Sequence, residues 1–198
     1  MIAKGRNLFQ SKVYSDAEAI KNLLTTVPNF LTKLSQELET ADNAISEEYE
    51  EWDFELQKKV LRVWHPSTDT TFIWEMMDVF YTSIVIKKDS FVENGLRTLL
   101  GENTKPKPPK GQKVPSDIDL YYSKIKEKYA VVLPDIKTLW PNKDNFHMIR
   151  KDIVHHGKCC ITKEEVNHLP VDVDDTLKML LFIEEGLRKV NPNYSISF

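Results

Sequence analysis

The side chains in this 198-residue chain best suited to chemistry lie close together late in the sequence. Of the five histidines (His65, His147, His155, His156 and His168), three gather around Arg150. In the string Ile149-Arg150-Lys151-Asp152-Ile153-Val154-His155-His156-Gly157, four residues separate Arg150 from His155. An imidazole with its ordinary pKa of about 6.5 trades a proton near neutral pH, and a guanidinium fork can grip two phosphate oxygens at once. Cleavage of RNA without a metal asks for these two groups. The ribose 2′-OH is the nucleophile, a side chain moves its proton, and a cation meets the charge that grows on the phosphorane.

These side chains need an element to hold them. Asn142 or Asp144 caps a helix through FHMIRKDIVHH that stops at Gly157. At roughly 100° per residue, Arg150 and His155 lie about 140° apart on that helix. Arg150 falls with Ile149, Ile153 and Val154, while His155 falls with Met148, Lys151 and Asp152. Two arrangements would bring them together. Either a second copy of the chain completes the site, or the helix unwinds before Gly157 and His155 swings round. Plainer roles exist for the same residues. Arg150 can tie helices together through Asp152 or Glu184, His156 suits the negative end of a helix, and His147, Lys151 and His155 form a stripe that a solvated face would also give.

The string resembles the HEPN domains (higher eukaryotes and prokaryotes nucleotide-binding), whose hallmark is Arg, four to six residues, then His, late in an all-α bundle. The apolar pair Ile153-Val154 before His155 and one amphipathic helix after the motif agree with that pattern. In two places the chain departs from it. Lys151 stands where Asn, Asp or His often follows the Arg, and Gly157 stands where the subgroup controlled by a nucleotidyltransferase antitoxin has Tyr. The resemblance implies an all-α, HEPN-like bundle of about six to eight helices. It also implies a metal-independent endoribonuclease leaving 2′,3′-cyclic phosphate and 5′-OH ends, in a toxin or phage-defence role. Arg150 would hold the phosphate and His155, or its neighbour His156, would move protons, with Lys151 and Asp152 in support. Expected partners are RNA, a second copy forming a composite site, and an antitoxin or regulatory protein; no cofactor or metal is expected. The alternative is a catalytically silent HEPN-like module that binds a protein or a nucleotide.

Composition narrows the classes further. Six scattered glycines exclude the glycine-rich phosphate loops of dinucleotide-binding and P-loop proteins. The two cysteines, Cys159 and Cys160, are adjacent and rule out a disulfide framework; with His155 and His156 they also have the wrong spacing for a zinc site. No apolar run suits a signal peptide or a membrane span, so the expected compartment is the cytoplasm. The net charge of -3 conceals two unlike parts. Residues 104–163 carry 13 Lys and Arg against 6 Asp and Glu, leaving 14 against 24 elsewhere. That basic segment includes an exposed Lys/Pro-rich loop over residues 104–115, whose Lys105, Lys107, Lys110 and Lys113 are expected to meet RNA backbone.

Helical periodicity predicts a single all-α domain over residues 1–198. A helix runs from Asp16, kinked or restarted at Pro28; another covers Ser46 to Trp64; a third lies between Ser67 and Gly101, with Phe72, Trp74, Phe80 and Tyr81 as core. After the loop come a helix capped by Ser116 or Asp117, a break at Pro134, the Arg150 helix, a start at Thr162, and a last helix from about Asp174 to Val190.

Overall fold

The computed structural model describes residues 7–44, 47–53, 55–64, 71–102, 106–107, 115–158 and 161–196. The fold is an all-α bundle with one small antiparallel hairpin. In order come α1 (Leu8–Ala44), β1 (Glu47–Asp53), β2 (Lys58–Trp64), α2 (Thr71–Leu100), α3 (Asp117–Tyr129), α4 (Ile136–Leu139), α5 (Lys143–His156) and α6 (Lys163–Val190). None of the described helices is long and apolar enough to cross a membrane.

Helices α1 and α6 run antiparallel. Asn7 and Gln10 donate to the Glu184 carboxylate at 2.7 and 2.9 Å, and Lys21 reaches Asp174 at 3.2 Å. α1 starts eight residues earlier than the sequence predicts and passes through Pro28 without ending. α6 likewise joins the Thr162 start and the final helix into one element through Pro170. A proline inside a helix forfeits one backbone hydrogen bond, but buried turns on both sides hold the chain helical: Ile20 and Leu31 around Pro28, Leu169 and Val173 around Pro170.

Where a helix is expected over Ser46 to Trp64, residues 47–53 and 58–64 form strands instead. Their Glu, Leu and Lys are good helix formers, but the two halves complement each other as strands. Asp53 faces Lys58 in the register, and Lys59 bonds Glu50 diagonally across the sheet at 3.1 Å. The Asp53 carboxylate accepts the N–H groups of Glu55 and Leu56, both at 3.0 Å, and Gln57 takes φ +48°, closing the turn.

The core is built on α2, against which α1, α3 and α6 pack, with Phe146 and Ile149 of α5 adding to it; Trp140 is fully buried within it, and Phe146 stacks obliquely on Trp140 at 5.3 Å. α2 and α6 approach closely at Gly95, where a Cβ would sit 2.6 Å from a Leu180 methyl. α3 runs parallel to α2, its start beside Asp89 and Glu93 and its Lys128 and Tyr129 donating to the Leu100 carbonyl at 2.8 and 3.0 Å. Of the four aromatics expected in the core, Phe80 and Tyr81 pack against it, but Phe72 and Trp74 do not. They are 44% and 60% exposed, and among the described residues no element covers that face of α2.

Candidate functional site

α5 carries the Arg150 string, and local chemistry fixes its ends. Gly157 takes φ +65° and closes the C-terminus, its N–H bonding the Asp152 carbonyl. Asn142 is the N-cap by position, but its amide donates to Asp172 at 3.0 Å, tying α5 to α6. Lys143, nearly buried, bonds Asp119 of α3 at 2.8 Å. Ser116 caps α3, its Oγ accepting the Asp119 N–H at 3.2 Å and donating to the Asp119 carboxylate at 2.6 Å. This chain of contacts fixes the start of α3 against α5.

Between α2, the start of α3 and α5 lies a cleft of about 390 Å³. Arg150, His155 and His147 line it from α5, Asp89 and Glu93 from α2, and Ser116 and Asp117 from α3. Arg150 and His155 therefore share one cavity within a single chain, and α5 stays helical through His156. The 140° between them is spanned by the cleft's width, with His147 between them on the helical wheel, about 60° from Arg150 and 80° from His155. His147 thus belongs to the cleft and not to a solvated face.

Arg150 pairs with neither Asp152 nor Glu184. Its Nε donates to Asp89 Oδ2 at 3.0 Å, with the two side chains 28% and 17% exposed. Both Nη groups have no protein partner among the described residues, so the outer edge of the guanidinium is open to an anion. Asp152 meets His156, whose Nδ1 lies 3.0 Å from the carboxylate on the exposed side of α5, and Glu184 accepts from Asn7, Gln10 and Arg188. Lys151, Asp152 and His156 do not line the cleft. Lys107 is exposed, whereas Lys105, Lys110 and Lys113 lie outside the described residues, as do Cys159 and Cys160. Among the described residues, no group of His, Cys, Asp and Glu is arranged to hold a metal ion.

The basic segment is less free than its charge count suggests. Lys124, Lys128, Lys137, Lys143 and Lys158 are each engaged by a carboxylate. Behind the cleft, Lys88 is fully buried and has no hydrogen-bond partner among the described residues, its Nζ 3.5 Å from the Phe146 ring centroid and 4.1 Å from that of Trp140. Burial pulls its pKa down to about 7 against the opposing pull of Asp172, Asp89 and Asp175.

Sequence reasoning missed Asp89, Glu93 and Asp117, because nothing local to α2 or α3 marks a carboxylate as facing a residue some 30 to 60 positions away. Fold and cleft together define an all-α bundle with an arginine and two histidines in one cavity. No family model matches the chain, and no curated protein or solved structure matches it.

Proposed function

We propose that this chain is a metal-independent endoribonuclease of the HEPN type, acting on RNA in the cytoplasm as a homodimer in a toxin or phage-defence role under a protein regulator. The observation that carries the reading is the convergence of Arg150 and His155 on one cleft, with Arg150 held through Nε and its Nη edge unpaired. In this reading the Nη edge grips the non-bridging oxygens of the scissile phosphate. His155 takes the 2′-OH proton as the 2′-oxygen attacks phosphorus, and His147 gives a proton to the departing 5′-oxygen. The products are a 2′,3′-cyclic phosphate and a 5′-OH end.

A second reading draws on the carboxylates. Asp89, Glu93 and Asp117 face one guanidinium there, and a cleft of that sign suits a catalytically silent module that binds a basic segment of a protein better than it suits a phosphodiesterase. Incubating labelled single-stranded RNA with the protein in EDTA, beside Arg150→Ala, His155→Ala and His147→Ala, separates the two. The ribonuclease reading expects cleavage by the parent and a loss of at least a hundredfold in the first two variants. Equal cleavage by all four, or none by the parent, overturns it.

A further inference from the structure

α2 shows solvent a face that is apolar where a solvated helix would be polar. Phe72, Met76, Val79, Ser83, Ile86 and Ser90 recur at alternating spacings of four and three residues, the repeat by which one helix packs on another, and all six are exposed. The opposite face of α2 is already occupied, with Val85, Val92, Leu96 and Leu99 in the bundle core. α2 therefore has two apolar faces and uses one.

We propose that a second copy of this chain packs antiparallel on that seam, about a two-fold axis level with residue 81. The order of side-chain sizes selects this occupant. Such an axis sets Phe72 against the partner's Ser90, Met76 against the partner's Ile86, and Val79 against the partner's Ser83, so the bulkier half of each seam meets the smaller half of the other. A parallel arrangement would oppose Phe72 to the partner's Phe72 and Ser83 to the partner's Ser83, crowding one end and leaving voids at the other. A helix of another protein would have to reproduce this gradient, whereas a second copy supplies it through symmetry. The seam extends over about 27 Å of helix. Two such helices bury on the order of 1,000 Å² in total, the lower bound for a specific interface.

The surface differs from the motif-helix contact that the HEPN resemblance implies. Ile86 and Ser90 lie within one turn of Asp89 and Glu93, so the partner's helix would border the cleft without filling it. The inference rests on the exposed seam and stands independently of ribonuclease activity.

Sedimentation of the full chain at tens of micromolar tests it, with a species of twice 23.1 kDa expected. Val79→Glu and Ile86→Glu should each weaken association at least tenfold while leaving the helical circular dichroism intact. Register is read by oxidising a mixture of two chains, one carrying Val79→Cys and the other Ser83→Cys, both with Cys159→Ser and Cys160→Ser. Cross-linking between the two chains, faster than within either alone, supports the proposal. A monomeric parent, a dimer that survives Val79→Glu, or preferential Val79→Cys self-linking overturns it. If the cysteine-free background does not fold, sedimentation of the glutamate variants decides.

Discussion

Asp89 of α2 and Arg150 of α5, 61 residues apart in the chain, meet at 3.0 Å through a single guanidinium nitrogen, Nε. The carboxylate orients the guanidinium and leaves its broader edge for a ligand. Replacing Asp89 by Asn removes the charge with little change of shape. RNA cleavage should fall about ten- to a hundredfold, the range for partners that orient an active group. Stability should change by about 1 kcal/mol or less, because the pair is partly exposed. Initial rates and urea midpoints on the same preparation check both, and unchanged cleavage would remove Asp89 from any positioning role.

The crossing of α2 and α6 has little room to give. Gly95→Ala sets a methyl 2.6 Å from a fully buried Leu180 side chain. The overpacking should cost about 1–3 kcal/mol, outweighing the gain of about 1 kcal/mol from replacing glycine within a helix. Chemical denaturation checks the sign, since a variant more stable than the parent would mean that the helices separate freely there.

Lys88 makes stability depend on pH in an unusual direction. Its amine has a pKa near 7 when folded and 10.5 as an ordinary lysine, so between these values the unfolded chain binds more protons. Unfolding free energy should therefore rise with pH from about 7 to about 9.5, by up to a few kcal/mol. Above about pH 10 the trend should reverse, because burial holds the Tyr122 hydroxyl up at about 12 and raises Tyr194 as well. Urea midpoints across this range measure the slope, and Lys88→Met should flatten it. A slope of the opposite sign in the parent would contradict the buried amine.

Local stop and start signals were legible in the sequence because each acts within a turn of its own residue. Ser116 caps α3, Gly157 ends α5, and Thr162 with Glu165 forms a capping box. Thr162→Ala should cost about 1 kcal/mol, readable by thermal melting. Features set by distant partners were not legible. Good helix formers in residues 47–53 and 58–64 gave way to pairing between an acidic and a basic strand, and α1 and α6 each continue through a proline, Pro28 and Pro170, between buried turns. In the cleft, Arg150 and His155 could be picked out by type and spacing. The carboxylate that holds Arg150 could not, since only the packing of α2 on α5 brings Asp89 there. Phe72 and Trp74 looked like core because composition does not say which face of a helix finds a neighbour.

Product chemistry tests the central claim most directly. A single-stranded RNA and the same sequence with 2′-deoxyribose throughout are incubated with the protein in EDTA, and the product ends are identified by mass. With Arg150 and His155 acting on the ribose 2′-OH, the RNA should be cut to 2′,3′-cyclic phosphate and 5′-OH ends while the deoxy strand stays whole. Cutting of the deoxy strand, or 5′-phosphate ends from the RNA, would contradict it.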